Sequence, residues 1–252
     1  MAEPGNKLFQ KVPSSRQEES FLETVVLPES NIAFFDHFVS IEIPNLVRES
    51  PTGGIFLDFG CGNGSMLSII CDSLRNHGLN KRLQIMGYDP NLPKIDEDSR
   101  VGRKKKIYEI SYTDSLPERA DIIVANFSLH HADSIKEELE KVANLGATFV
   151  TIAEYDFSKL RALPEDQAVE EFKRGFQASE AGLTDYEDFR RQAMRSGRSV
   201  DEAWRDCYLF HQKYSKEDFS QALESAGYSP MRIVLPSGRQ DKYKFILTAK
   251  KK

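Results

Sequence analysis

The fold is decided by residues 55–65, which read IFLDFGCGNGS. The first five residues form a nearly uninterrupted apolar run of strand length, which is typical of a central strand covered on both faces. Three alternate glycines follow, and their lack of Cβ atoms lets a ligand approach the backbone N–H groups at the start of the next helix. A glycine loop is weak evidence alone, because structural turns and nucleotide-binding loops both use one.

Strand and helix patterns alternate after this segment. A helical stripe runs from Met66 to Leu74, and Ser134 with Glu137 forms a capping-box pattern that predicts a helix ending near Leu145. Apolar runs predict four further strands, at residues 83–89, 107–110, 120–126 and 147–153. A basic loop is predicted between the first two of these strands. This alternation predicts a mostly parallel sheet with helices on both faces.

The remaining sequence predicts three domain parts. Residues 1–50 form an N-terminal arm and a helical lead-in, and residues 51–252 form the main domain. Within that domain, residues 155–214 lack strand signals and carry two capping boxes, at Thr184 and Ser199, so they predict a helical insertion after the fifth strand. A further helix at 215–226 and an antiparallel strand pair at 231–235 and 243–248 complete the prediction.

Composition narrows the function classes. The 252 residues are 40% hydrophobic with a net charge of −5, and no apolar run approaches the ~18 residues of a membrane span. The cysteines Cys61, Cys71 and Cys207 form no CxxC pair, so we expect no disulfide framework and no metal site, and a cytoplasmic protein. The basic run at residues 100–106 keeps nucleic acid as an alternative partner, although the net charge does not favour it.

Three features together resemble the class I S-adenosylmethionine-dependent methyltransferases. They are the G-x-G-x-G spacing with Asp58 two positions before the first glycine, Asp89 at the end of the second strand, and the D-hydrophobic-V strand from Asp121 that leads into Leu129-His130-His131. Asp89 alone would also suit NAD, but the glycine spacing and the terminal antiparallel pair favour a methyltransferase over a dehydrogenase. The resemblance implies a Rossmann-like, seven-stranded, mostly parallel sheet with an antiparallel last strand.

The resemblance also implies a cofactor site for S-adenosylmethionine. Asp89 would accept the ribose hydroxyls, Asn126 would lie by the methionine end, and Asp114 would lie near the adenine. Here the chain has Ser111-Tyr112 where the family often has Gly-Asp, so the match at this position is looser. The expected cofactor-binding residues are Asp58, Gly60, Cys61, Gly62, Gly64, Asp89, Pro90, Thr113, Asp114, Asn126 and Phe127.

Few catalytic groups are expected, because the sulfonium methyl group is already electrophilic and a base is needed only for a protonated acceptor. His131 is the candidate catalytic residue, because strand-end loops of a parallel sheet line the ligand crevice. A packing or capping role for this histidine stays open. The candidate substrate residues are His130, Glu154, Tyr155, Trp204, Tyr208 and His211. For the aromatic residues of the insertion, a role in the protein core stays open as the alternative.

The expected function is therefore methyl transfer to an O, N or C atom of a small molecule. The alternatives are an RNA methyltransferase, and a cofactor-binding subunit that catalyses nothing itself. The insertion is expected to act as a lid with hinges near Pro164 and Gly182, or else to form a permanently docked subdomain. The sequence leaves the oligomeric state open.

Overall fold

The computed structural model describes residues 37–50, 53–92, 100–176, 190–191, 193–235 and 243–252. One seven-stranded sheet has the order β3-β2-β1-β4-β5-β7-β6. The strands are β1 Gly54–Phe59, β2 Leu83–Tyr88, β3 Ser111–Thr113, β4 Ile122–Asn126, β5 Phe149–Tyr155, β6 Tyr228–Val234 and β7 Lys244–Lys251. The α-helices are α1 Ile43–Glu49, α2 Ser65–Asn76, α3 Arg100–Tyr108, α4 Ile135–Asn144, α5 Glu165–Phe176, α6 Val200–His211 and α7 Lys216–Ser225.

Strand β7 is the only antiparallel member of this sheet. It pairs antiparallel with both β5 and β6, whereas β1 to β5 pair in parallel. The predicted fold class, a mostly parallel sheet with an antiparallel last strand, is confirmed. Because β1 lies between β2 and β4, the carboxyl ends of these strands meet where the strand order reverses, which is the usual ligand crevice of an open α/β sheet.

Two hydrophobic clusters cover the two faces of the sheet. Phe56 belongs to the cluster beneath α1 and α2, and its neighbour Leu57 belongs to the cluster beneath α4 and α7. Both side chains are fully buried, as the two-residue period of a strand requires when helices cover both faces. The burial of β1 on both sides fixes the position of the glycine loop that follows it.

The predicted strand at residues 107–110 and the basic loop before it are wrong. Helix α3 spans Arg100–Tyr108, and the third strand is Ser111–Thr113. Lys104 and Tyr108 lie one helical turn apart, and both donate to the Asp72 carboxylate of α2, at 2.5 Å each. These contacts with another helix outweigh the strand preference of a short apolar run.

The N-terminal lead-in is helical, as predicted, over its described part. A π-helical turn at Phe38–Glu42 continues into α1, and Pro44 lies in the first turn of α1, where proline is tolerated. Glu42 is buried and pairs with His37 at 2.9 Å and with Arg232 of β6 at 2.8 Å. These pairs tie the lead-in to the edge strand of the sheet.

The described part of the insertion packs as a third cluster. Ser199 and Glu202 form the predicted capping box at the start of α6, whereas the box at Thr184 lies outside the described residues. Trp204 and Tyr208 of α6 are buried against Phe172 of α5. The aromatic residues of the insertion therefore form a core, which is the second of the two readings that the sequence allowed.

Phe245 gives a test of the packing of β7. Its ring is fully buried and lies 5.7 Å from the ring of Phe219 on α7. We expect Phe245→Ala to lower the free energy of unfolding by about 3–5 kcal/mol, because the cavity left in the core cannot collapse fully. Urea unfolding measures this change. Met231→Ala, at a 55% exposed position on β6, is the control and should change stability by less than about 0.5 kcal/mol.

Candidate functional site

The carboxyl ends of β1, β2 and β4 bring the predicted cofactor residues together. The glycine loop follows β1, and the N–H groups of Gly60 and Cys61 donate to the Tyr88 carbonyl at the end of β2, at 2.7 and 2.9 Å. Asp89 follows that carbonyl directly, and Asn126 ends β4. The sheet therefore places the glycine loop and these two side chains along one edge.

The Asp89 carboxylate holds the glycine loop. Its Oδ2 accepts the Gly62 N–H at 2.9 Å, and its Oδ1 accepts the Asn91 N–H at 2.8 Å. The Asp89 N–H donates to the Thr113 carbonyl at 3.1 Å, so the residue is also tied to β3. Asp89 is buried, yet a carboxylate has about four acceptor positions, and two backbone donors leave capacity for a ligand.

Gly62 differs from its neighbouring glycines in what surrounds it. A Cβ atom at Gly60 would collide with Ser128, and one at Gly64 would collide with Tyr112. A Cβ atom at Gly62 would meet nothing within 4 Å. The protein's own packing thus explains two of the glycines, whereas the bare backbone of Gly62 borders open space. That space is what a ligand lying on the loop would need.

Two buried side-chain oxygens of predicted cofactor residues have no hydrogen-bond partner among the described residues. They are Oδ2 of Asp58 and Oδ1 of Asn126. Burial, and then the charge of Asp89, raise the pKa of Asp58 from 3.8 to about 7. A buried acceptor without a donor costs about 1–3 kcal/mol, so both atoms indicate a site that a hydrogen-bond donor or a cation completes.

The remaining predicted cofactor residues flank the crevice. Thr113 Oγ1 accepts the Ser115 N–H at 3.0 Å, and exposed Asp114 accepts the Ser115 hydroxyl at 3.3 Å. Pro90 is exposed beside Asp89. Phe127 directly follows β4 with a φ of +45°, an uncommon conformation for a bulky residue and one that is often retained at functional sites.

Cys61 lies in the glycine loop with its thiol turned inward. It is buried, and its Sγ lies 3.8 Å from the Gly62 carbonyl. A Cβ atom at Gly87 of β2 would come within 2.9 Å of this sulfur, so the loop packs closely against β2 at this point. Cys61 therefore acts as a small packing residue of the loop.

A second group of predicted residues gathers after β4 and β5. Nδ1 of His130 lies 2.8 Å from Oε2 of Glu154, and Glu154 is fully buried. Oε1 of Glu154 accepts the backbone N–H groups of Leu129 and His130 at 2.7 and 3.2 Å. One carboxylate thus holds both the backbone of the 3-10 turn Leu129–His131 and an imidazole ring.

The other rings of this group differ in exposure. His131 is exposed, with its ring centroid 4.1 Å from that of His130 and 5.3 Å from that of Phe210. The buried ring of His211 lies 4.8 Å from that of His130, and the ring of Tyr155 lies 5.7 Å from it. Of the predicted substrate residues, the structure brings four together here, namely His130, Glu154, Tyr155 and His211. Trp204 and Tyr208 are buried in the third cluster, to which Tyr155 also belongs.

A family model for a methyltransferase domain matches residues 34–232. The chain belongs to the methyltransferase-domain family. The resemblance derived from the glycine loop and Asp89 is confirmed. The match covers the sheet up to β6 together with the insertion.

Solved structures with the same fold support this assignment. The methyltransferase resembles magnesium protoporphyrin IX methyltransferase (ChlM) from Synechocystis PCC 6803 with bound SAH, with 14% identity, a TM-score of 0.51, and 97% of this chain and 91% of that chain covered. It also resembles the plantazolicin methyltransferase BpumL in complex with SAH, with 13% identity, a TM-score of 0.52, and 94% and 90% covered. A search of curated proteins by sequence gave no match.

Sequence reasoning missed residues that shape the site through packing. The Ser128 hydroxyl donates to the Phe59 carbonyl at 2.9 Å and joins the ends of β1 and β4. The Tyr112 ring fills the space that Gly64 and Gly87 leave. Neither role has a sequence signal, because both depend on which strands lie side by side. Across the described ranges of the methyltransferase, no helix could cross a membrane and no side-chain cluster suits a metal ion.

Asp58 predicts an unusual dependence of stability on pH. Its folded pKa of about 7 exceeds the ordinary aspartate pKa of 3.8, so between these values the folded state binds more protons, and the free energy of unfolding falls as pH rises. The loss is about 1.4 kcal/mol for each pKa unit. We expect Asp58→Asn to abolish this fall and to be more stable than the native protein at pH 8, as measured by urea unfolding at pH 5 and 8. Exposed Asp114→Asn is the control, and parallel curves for Asp58→Asn and native protein would contradict the assignment.

Proposed function

We propose that the protein transfers a methyl group from S-adenosylmethionine to an O, N or C atom of a small-molecule acceptor. The observation that carries this proposal is the open space over Gly62, whose backbone N–H is held by the carboxylate of Asp89. Buried oxygens of Asp58 and Asn126, near the ends of the neighbouring strands β1 and β4, lack hydrogen-bond partners among the described residues. A glycine loop beside strand-end acids suits a nucleoside with a cationic tail, and the chain belongs to a methyltransferase family.

The residues fit the parts of this cofactor in order along the sheet edge. Asp89, at the end of β2, would accept the ribose hydroxyls with the lone pairs that its two backbone donors leave free. Thr113 and Asp114, after β3, would border the adenine. Pro90 and the backbone of Gly60, Gly62 and Gly64 would line the crevice between them.

The cationic end of the cofactor suits the buried acceptors. Asp58 is 1% exposed and lacks a donor for Oδ2, so the methionine ammonium group would satisfy it and favour its ionised form. Asn126 and Phe127 would lie beside the same end, after β4. When bound, S-adenosylmethionine supplies an electrophilic methyl group, so the protein mainly orients the acceptor and excludes water.

The acceptor side of the site lies at the turn after β4. The sequence predicts His131 as the catalytic residue, and its exposed imidazole belongs to this turn. His130, Tyr155 and His211 lie beside it as predicted substrate residues. The fully buried carboxylate of Glu154 accepts protein N–H groups, which suits a supporting role better than substrate contact.

A small molecule suits the charge distribution better than RNA. In the basic run, Lys104 pairs with Asp72. In the insertion, Arg198 pairs with Asp206 and Arg205 with Glu165. These cations are balanced within the protein. The two solved neighbours described above are named for a porphyrin and for plantazolicin as substrates, which also supports a small-molecule acceptor.

We also propose that the insertion covers the crevice. It leaves the sheet after β5, at the edge that carries the cofactor residues. Lys213 and Tyr214, at its end, donate to the Ala132 and Asp133 carbonyls just after His131, at 2.6–3.2 Å. A cover attached to the catalytic turn would hold the acceptor and exclude water. The three buried cysteines form no disulfide, which is consistent with the proposed cytoplasmic location.

The cofactor site can be tested by binding. Asp89→Ala removes the hydrogen-bond acceptor of the ribose, and a lost charged hydrogen bond costs about 1.5–3 kcal/mol. Gly62→Val fills the space above the loop. We therefore expect each variant to weaken binding of S-adenosylhomocysteine by at least about tenfold. Isothermal titration calorimetry measures the affinity, and circular dichroism checks the fold. Asp201→Ala, an exposed carboxylate on α6, is the matched control. Unchanged affinity in both site variants would exclude this cofactor site.

The reaction can be tested by incubating the protein with methyl-tritiated S-adenosylmethionine and cell extract. We expect tritium in the small-molecule fraction, dependent on Asp89, because the site is built for transfer to a small acceptor. Mass spectrometry of that fraction then identifies the acceptor. Label in RNA would support the nucleic-acid alternative. Binding of S-adenosylhomocysteine without any transfer would support a non-catalytic subunit.

A further inference from the structure

The two adjacent histidines of the turn after β4 are held differently. His130 is 3% exposed and its Nδ1 contacts a buried carboxylate, whereas His131 is exposed. We propose that His130 is the general base of the reaction, that Glu154 is its positioning residue, and that the acceptor therefore carries a removable proton, as on a hydroxyl group or on a carbon beside a carbonyl. This inference rests on the proposed methyl transfer.

The contacts of Glu154 define the protonation state of the dyad. Its two oxygens face the backbone N–H groups of Leu129, His130 and Tyr155, at 2.7, 3.2 and 3.3 Å. A backbone N–H can only donate, so the Glu154 oxygens are the acceptors in these contacts. In the fourth contact, at 2.8 Å, Glu154 accepts a hydrogen bond from Nδ1 of His130, so in the neutral ring Nε2 carries the acceptor lone pair.

This arrangement is the one that makes an imidazole an effective base. A third group that orients the base and fixes its tautomer is a recurring feature of activated catalytic sites. The Nδ1 atom of His130 contacts the buried carboxylate of Glu154, whereas the ring of His131 is exposed to water. The structure therefore places the oriented imidazole at His130.

The dyad lies next to the proposed cofactor site. The Phe127 N–H donates to the Ala153 carbonyl at 2.8 Å, which joins the end of β4 to the residue before Glu154. The rings of Phe127 and Tyr155 are 4.6 Å apart, and that of Tyr155 lies 5.7 Å from that of His130. One aromatic ring thus separates the imidazole from the strand end that carries Asn126.

In the proposed reaction, His130 takes up the proton that the acceptor loses when it is methylated. The acceptor atom gives its proton to Nε2 of His130 and its electron pair to the methyl carbon, whose bond to sulfur breaks with both electrons staying on sulfur. His130 becomes an imidazolium ion in a buried site, where the adjacent Glu154 carboxylate compensates the charge. The other titratable groups facing this ring are His131, Tyr155 and His211, and Nδ1 of His211 donates to the Cys207 carbonyl at 2.8 Å.

Three histidine variants and one glutamate variant separate the roles. With tritium transfer into the small-molecule extract as the readout, we expect His130→Gln and Glu154→Gln each to lower the rate by at least about 100-fold, the usual contribution of a general base. His131→Gln is expected to lose less than about tenfold, as a contact at the site edge. His77→Gln, on the exposed end of α2 at the opposite edge of the sheet, is the matched control and should keep full activity.

Two further measurements distinguish a base from a structural residue. The native rate should fall at acidic pH as the imidazole becomes protonated, and residual transfer by His130→Gln should lack this dependence. Affinity for S-adenosylhomocysteine should be retained in His130→Gln, so the loss lies in the chemical step. The proposal is overturned if His131→Gln shows the large loss of transfer rate in place of His130→Gln, or if His130→Gln keeps full activity.

Failure of the methyl-transfer proposal has a different signature. In that case the native protein itself transfers no label, whatever the state of the dyad. Nitrogen-15 NMR of the histidine rings then still tests the geometry without any activity. We expect His130 to show a protonated Nδ1 and an unprotonated Nε2 at pH 7, and Glu154→Gln to abolish this tautomer preference. The opposite tautomer in the native protein overturns the dyad, and this readout stays available if Glu154→Gln fails to fold.

Discussion

The hydrogen bond from the Gly62 N–H to the Asp89 carboxylate is the interaction on which the site depends. It joins the loop after β1 to the end of β2, at the point where the strand order of the sheet reverses. Because the donor is a backbone group, the loop keeps its course without filling the space above Gly62. One carboxylate thus shapes the crevice and still presents acceptors to a ligand. Asp58 is a second buried acid near this crevice, and its ionised form is disfavoured by its burial and by the charge of Asp89.

Most of the fold could be predicted from the sequence, because the core strands are buried on both faces and therefore show as apolar runs. Residues 55–59 and 120–126 correspond closely to β1 and β4. Ser134, Ser199 and Ser215 are the N-caps of helices α4, α6 and α7, where the sequence predicts helices to begin. Spacing also placed the glycine loop and Asp89 at a common edge. These features depend on local sequence and on the geometry of parallel sheets.

The errors arise where distant contacts decide the local structure. Ile107 to Ile110 has the composition of a strand, but Lys104 and Tyr108 reach Asp72 only when the segment is helical. The sequence left a core role and a substrate role open for Trp204 and Tyr208, and the structure buries both beside Phe172. The difference between His130 and His131 could not be read from the sequence either. It depends on Glu154, whose side chain meets the turn only because β4 and β5 are neighbours.

The position of β7 between β5 and β6 affects how the chain can fold. Phe149 of β5 pairs with Lys250 across about a hundred residues, and β6 joins the sheet by pairing with β7. During synthesis, β5 is therefore an open sheet edge while the whole insertion and β6 emerge. Long-range pairing of this kind folds slowly, and an open edge of buried, apolar residues invites pairing with other chains. The strands that carry the glycine loop pair without β7, whereas the β5 edge stays open to such pairing until β7 is in place.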